Sequence, residues 1–79
     1  MNTQQYDVTL DVTGMNCPLP ILRAKKALAR METGQTLQLL ATDKSAPEDF
    51  TAFCRQTGHE LVQLLSRDDG ILEIVLRHR

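Results

Sequence analysis

The segment TGMNCPLP, residues 13–20, marks the point where the chain changes from a strand pattern to a helix pattern. Before it, apolar and polar residues alternate over residues 7–12, which is the period of a half-buried strand. After it, apolar residues recur at the three- and four-residue spacing of an amphipathic helix over residues 18–32. Gly34 then supplies a stop. The segment therefore predicts a strand and a helix joined by a short loop.

A second strand and a second helix follow. Residues 37–42 alternate in the same way as the first strand, which predicts a parallel pair joined by a right-handed helical crossover. Ser45 and Glu48 have the spacing of a capping box, and Pro47 suits the first helical turn. Gly58 is expected to end this helix.

The last part of the chain predicts a hairpin. Residues 60–67 and 71–77 have strand patterns, and the sequence Asp-Asp-Gly lies between them as a turn. The resulting order is βαβαββ. It predicts an α/β (α+β) fold, in which a mixed four-stranded sheet carries both helices on one face as a two-layer sandwich. We expect a single domain over residues 1–79.

Composition narrows the function classes. The 79 residues carry a formal net charge of -1 with a pI near 6.0, which disfavours direct binding of nucleic acid. No apolar run approaches the roughly 20 residues that span a bilayer, and residues 1–5 lack the pattern of a secretion signal. Two cysteines are too few for a disulfide scaffold. We therefore expect a cytoplasmic protein with both cysteines as thiols.

Cys17 is the candidate catalytic residue. It directly precedes Pro18 at the predicted start of the first helix, where partial positive charge and free amide donors favour a thiolate and lower the pKa of a cysteine. Gly14 ends the strand pattern, and Pro18 and Pro20 stiffen the site while leaving Leu19 and Ile21 as the nearest amide donors. We expect an exposed, ionised sulfur shaped by this glycine and these prolines.

The other chemically active side chains have simpler interpretations. Cys54 shares a helical arc with Phe50 and Phe53, which favours core packing. His59 is read as a strand-entry residue, and neither histidine is obviously placed as a base for Cys17. Because the cysteines and histidines lack paired ligand spacing, no metal site and no cofactor are predicted.

Two surface features of the first helix are candidates for partner docking. The apolar residues around the cysteine form either a docking rim or incidental surface hydrophobicity, and the basic stripe beside them either steers an acidic partner or is merely solvated. The rim consists of Met15, Leu19 and Leu22, and the stripe of Arg23, Lys26 and Arg30.

Asp43 follows the second predicted strand. The carboxyl ends of parallel neighbours lie at the same sheet edge, so Asp43 is expected near the Cys17 loop. It could orient that loop through hydrogen bonds, or it could act only as a turn or helix-entry residue.

These residues resemble the landmarks of TusA-like (SirA-like) sulfur carriers across nearly the whole chain. The matching positions are Leu10-Asp11, Gly14, Cys17-Pro18-Leu19-Pro20, Gly34, Ala41-Thr42-Asp43, Phe53-Cys54 and Gly58-His59-Glu60-Leu61. The resemblance implies the βαβαββ sandwich and a persulfide on the cysteine of the Cys-Pro-x-Pro motif, here Cys17. It implies a cysteine desulfurase or rhodanese-like protein as sulfur donor and a downstream acceptor protein, with a membrane sulfur transporter as a further candidate partner.

The resemblance leaves the pathway and two rival functions open. Family members supply tRNA thiolation, molybdenum-cofactor enzymes or sulfur oxidation. Carriers of the tRNA 2-thiouridine relay often have an acidic residue where this chain has Leu19, which argues against that pathway. As a sulfurtransferase in the carrier sense, the protein would not turn over without partners. The alternatives are a non-catalytic interaction or regulatory module, and a thiol redox sensor.

Overall fold

The computed structural model describes residues 6–79, which form six elements in the predicted βαβαββ order. The elements are β1 (Val8–Val12), α1 (Leu19–Leu28), β2 (Thr36–Ala41), α2 (Ala46–Thr57), β3 (Glu60–Ser66) and β4 (Leu72–Arg77). Of the helices in this described part, none is long and apolar enough to cross a bilayer. The polar start, residues 1–5, on which the expectation about a secretion signal depends, lies outside the described residues.

The strands form one mixed sheet in the order β1-β2-β4-β3. β1 and β2 are parallel, with Val8 opposite Leu37 and Val12 opposite Ala41. β4 pairs antiparallel with both β2 and β3. Because parallel strands end at the same edge of a sheet, the loop after β1 and the loop after β2 lie side by side.

The core lies between one face of the sheet and the two helices, which confirms the predicted two-layer arrangement. Side chains from β2, β4, α1 and α2 bury one another in a single cluster. Its main members are Ala24 and Leu28 from α1, Phe50, Phe53 and Cys54 from α2, and Leu37, Leu39, Ile74 and Leu76 from the sheet. Val8 and Leu10 of β1 are half-buried against this cluster. The sandwich thus holds the amino ends of both helices near the edge where β1 and β2 end.

Helix α1 ends at Leu28, earlier than the predicted residue 32. The amide of Arg30 donates to the carbonyl of Ala27, and that of Met31 donates to the carbonyl of Leu28, each at 3.0 Å. These three-residue hydrogen bonds tighten the chain and end the α-helix. Met31 is still buried, so the apolar pattern continues beyond the helix that it predicts.

Helix α2 begins without the predicted capping box. Ser45 precedes the helix with φ -85° and ψ -7°, which is already helical and not the extended geometry of a capping serine. Its hydroxyl donates to Oδ2 of Asp49 at 3.1 Å and caps no backbone amide, so the predicted pairing with Glu48 is wrong. The other end is as expected, because Gly58 takes the left-handed conformation with φ 87° and closes the helix.

The burial pattern predicts that alanine substitution of two strand leucines lowers the free energy of unfolding by very different amounts. Leu39→Ala on β2 removes a fully buried side chain, and we expect it to lower the free energy of unfolding by about 2–5 kcal/mol. Leu65→Ala on β3 starts from a side chain that is 46% exposed, and we expect a change within about 0.5 kcal/mol. Urea denaturation of both variants measures the difference. Equal losses would contradict this assignment of the core.

Candidate functional site

Hydrogen bonds hold the start of the loop between β1 and α1 to the end of β1 and to the residue after β2. The backbone amide and hydroxyl of Thr13 both donate to Oδ1 of Asp11, at 3.0 and 2.6 Å. The amide of Gly14 donates to the hydroxyl of Thr42, just after β2, at 2.8 Å. Gly14 has φ 79°, a left-handed backbone conformation that a glycine adopts without strain. The glycine therefore lets the loop turn towards the end of β2.

The same loop is fastened again at Cys17. Its backbone amide donates to Oδ2 of Asp43 at 2.7 Å, while Oδ1 of Asp43 accepts the amide of Ser45 at 3.1 Å. One carboxylate thus joins the Cys17 loop to the start of α2. Asp43 makes both the loop contact and the helix-entry contact that the sequence offered as alternatives. Its pKa is lowered by the hydrogen bonds from the amides of Ser45 and Cys17.

The two prolines differ in environment. Pro18 is exposed and immediately precedes α1, and the peptide bond between Cys17 and Pro18 is cis. Pro20 lies in the first turn and is buried. The amide of Leu19 donates to the carbonyl of Asn16 at 2.9 Å. Since proline has no amide hydrogen, the first turn of α1 leaves few free donors for the sulfur of Cys17.

The pKa of the Cys17 thiol is raised above its ordinary value of 9.0, which makes the predicted thiolate wrong. The largest cause is a hydrogen bond between the thiol and the Asp49 carboxylate, followed by loss of hydration and the negative charges of Asp49 and Asp43. The amides of Leu19 and Cys17 do not donate to the sulfur, because they donate to the carbonyl of Asn16 and to Oδ2 of Asp43. Cys17 is therefore an exposed thiol whose raised pKa disfavours the thiolate.

Asp49 is the site residue that sequence reasoning missed. It lies in the first turn of α2 and is half-buried, with the Ser45 hydroxyl on its carboxylate. Asp49 also lines a shallow cavity of about 280 Å³ together with Cys17 and Lys25. Nothing in the linear pattern distinguishes Asp49 from a surface residue of α2. Only the packing of the two helix starts brings it into the cavity of Cys17.

The apolar residues of the predicted docking rim divide into two groups. Leu19 and Leu22 are each 50% exposed on α1. Met15 is half-buried and packs against the core cluster. The exposed apolar surface next to the cysteine therefore comes mainly from the two leucines.

The basic stripe does not line the Cys17 cavity but a separate groove. Arg23, Lys26 and Arg30 line a groove of about 540 Å³ between α1 and the edge strand β1, and Val8 and Leu10 also line it. Cys17 lines the smaller cavity and not this groove. The stripe and the cysteine thus belong to separate surfaces of α1.

Cys54 and His59 lie where the sequence places them. Cys54 is buried in the core, and burial raises the pKa of its thiol. His59 precedes β3 and contacts the rings of Phe53 and His78, with ring centroids 5.9 and 4.8 Å apart. Burial, followed by the charges of His78 and Arg79, lowers the pKa of His59.

Comparisons with known proteins agree with this geometry. The family model described as Sulfurtransferase TusA matches residues 8–78. A protein of Neisseria meningitidis serogroup A is 62% identical over 71 residues, covering 90% of this chain and 95% of its own. The sulfur carrier protein TusA of Allochromatium vinosum is 52% identical over 65 residues, covering 82% and 83%. The crystal structure of a SirA-like protein from Desulfitobacterium hafniense superimposes with a TM-score of 0.80 at 30% identity, covering 89% of this chain and 95% of its own.

A small βαβαββ sandwich that presents one exposed cysteine before its first helix is the architecture of a sulfur carrier. This chain belongs to the TusA family. As a sulfur carrier, it exchanges sulfur with donor and acceptor proteins.

The two hydrogen bonds on Asp43 predict a pH dependence of stability. A carboxyl whose pKa is lowered on folding contributes stability above its ordinary value of 3.8, and that contribution is lost as the pH falls through the lower folded value. Asp43→Asn should therefore be less stable than the parent protein at neutral pH. The two proteins should converge in acid, as measured by urea unfolding at stepped pH. Cys17→Ser keeps both backbone amides and should retain the parent slope. If the free energy of unfolding of Asp43→Asn changed with pH in parallel with that of the parent protein, this role of Asp43 in stability would be contradicted.

Proposed function

We propose that Cys17 holds the transferable sulfur as a persulfide. The observation that carries the proposal is that Cys17 alone of the two cysteines is exposed, while Cys54 is buried in the core. The Cys17 backbone is fastened by Asp43, which keeps the thiol presented on a fixed loop. A relay of this kind needs an accessible sulfur that can reach the sulfur of another protein and attack it as the thiolate.

The chemistry is an exchange between sulfur atoms. Sγ of Cys17 attacks the outer sulfur of a donor persulfide, the donor S–S bond breaks, and the donor cysteine leaves as a thiol. An acceptor then removes the outer sulfur from Cys17 in the same way. Each transfer conserves the oxidation level, so the exchange requires no external oxidant.

We assign the donor role to a cysteine desulfurase or a rhodanese-like protein, and we place the relay in the cytoplasm. The acceptor belongs to tRNA thiolation, molybdenum-cofactor enzyme maturation or sulfur oxidation. We also propose that Gly14, Pro18 and Pro20 shape the Cys17 loop and that Asp43 orients it. The hydrogen bonds from the amides of Gly14 and Cys17 to the residues after β2 support these loop roles.

Intact mass after incubation with a cysteine desulfurase and L-cysteine tests the persulfide. The parent protein should gain the mass of one sulfur atom, and Cys17→Ser should gain none. Cys54→Ser is the matched control and should gain the adduct, because the buried thiol takes no part. A non-catalytic module would show no adduct on any variant, and a redox sensor would instead form oxidised species with peroxide.

The exposed leucines of α1 are proposed to contact the partner together with the basic residues Arg23 and Lys26. The double variant Leu19→Glu and Leu22→Glu should slow transfer from the desulfurase about tenfold, because it places charge in an apolar contact. The control Leu65→Glu alters an equally exposed leucine on β3 and should leave the rate unchanged. Equal rates for the double variant and the control would contradict docking at this surface.

A further inference from the structure

Two carboxylates and one ammonium group face the sulfur of Cys17 from the elements packed around it. Asp49 comes from α2, Asp43 from the loop after β2, and Lys25 lines the same cavity from α1. Within residues 6–79, every ion pair shorter than 4.0 Å involves Arg67 or Arg77, so neither carboxylate has a cationic partner there. The sulfur therefore lies in a locally negative field.

Asp49 is the carboxylate that lines the same cavity as Cys17. Asp43, in contrast, accepts the backbone amide of Cys17 at 2.7 Å. Asp49 also accepts the Ser45 hydroxyl at 3.1 Å, which limits its rotation. The Ser45 hydroxyl thus holds the Asp49 carboxylate at the wall of the Cys17 cavity.

We infer that Asp49 determines the donor specificity of Cys17, by disfavouring small anionic sulfur donors such as polysulfides and favouring a donor protein that brings a cationic side chain to the cavity. The inference builds on the proposed persulfide role of Cys17. Polysulfides and most low-mass persulfides are anions, and a carboxylate beside the sulfur repels them. The same charge raises the pKa of the Cys17 thiol, which lowers the fraction of reactive thiolate while Asp49 is unpaired.

A cation from the donor protein reduces both effects of the Asp49 charge, the repulsion of an anionic donor and the raised pKa of the Cys17 thiol. Paired with Asp49, it cancels the repulsion and lowers the cost of ionising the sulfur. Sγ of Cys17 bonds to the outer sulfur of the donor as the donor S–S bond breaks, and the proton of the Cys17 thiol passes to the departing donor thiolate. One thiol and one persulfide thus yield one persulfide and one thiol. Lys25 lies on the same cavity but belongs to α1, so it contributes equally for every donor.

Alkylation rates distinguish the electrostatic field at the Cys17 sulfur from the protonation of its thiol. Iodoacetamide is neutral and iodoacetate is an anion, so the ratio of their rates with fully ionised Cys17 reports the local charge. A unit charge about 4 Å away in bulk water changes such a rate about fivefold. In a Cys54→Ser background, Asp49→Asn should raise the iodoacetate to iodoacetamide ratio about fivefold relative to the parent. It should also move the iodoacetamide pH profile to lower pH.

Two control variants isolate the charge of Asp49. Glu48→Gln removes a neighbouring charge from the exposed side of α2, and Ser45→Ala removes the hydroxyl contact of Asp49 while keeping its charge. Both should keep the parent ratio within about twofold. An unchanged ratio in Asp49→Asn, with folding verified by circular dichroism, would overturn the inference.

Sulfur loading tests specificity directly. Sodium tetrasulfide should load Asp49→Asn about fivefold faster than the parent protein, whereas loading from a cysteine desulfurase with L-cysteine should not accelerate. The preference for the protein donor should therefore fall. Equal acceleration with both donors would overturn the inference and leave the persulfide role of Cys17 intact. No adduct on any variant with either donor would overturn the persulfide role, and the specificity inference with it.

Discussion

The parallel pairing of β1 with β2 is the constraint on which the site depends. It brings the ends of both strands to one edge of the sheet, where Asp43 accepts the amide of Cys17 at 2.7 Å. Without that pairing, a cysteine on a loop would have no fixed position relative to α2. The carboxylate of Asp43 also accepts the amide of Ser45, so one side chain couples the cysteine loop to the second helix.

The electrostatic state of the sulfur follows from a competition between backbone dipoles and carboxylates. A helix start favours a thiolate only when its amides are free to face the sulfur. Here the amide of Leu19 donates to Asn16, the amide of Cys17 donates to Asp43, and the prolines have no amide hydrogen. The Asp49 and Asp43 carboxylates, together with the loss of hydration, raise the pKa of the thiol. A raised pKa lowers the fraction of thiolate, which is the form that reacts with low-mass oxidants and persulfides.

Helix α1 separates two surfaces of different chemistry. Towards α2 lies the small cavity of Cys17 and Asp49, and the amino end of α1 carries the half-exposed Leu19 and Leu22. Towards the edge strand β1 lies the larger groove with the cations Arg23 and Lys26. A partner that contacts both surfaces must therefore reach around the helix, and the two surfaces can be altered independently by mutation.

The sequence by itself determined the order of the elements, the core and the exposed cysteine. Hydrophobic period and glycine positions depend on local backbone geometry, which is why the strands, Gly58 and the burial of Cys54 could be predicted. The capping box at Ser45 and the end of α1 were predicted incorrectly, because other local hydrogen bonds form in their place. The Ser45 hydroxyl donates to Asp49, and the amides of Arg30 and Met31 donate to carbonyls three residues back. Only the tertiary structure decided the surroundings of the Cys17 sulfur. Asp49 is distant along the chain and shares a cavity with Cys17 only when both helices pack on one sheet face, and no periodic pattern encodes that arrangement.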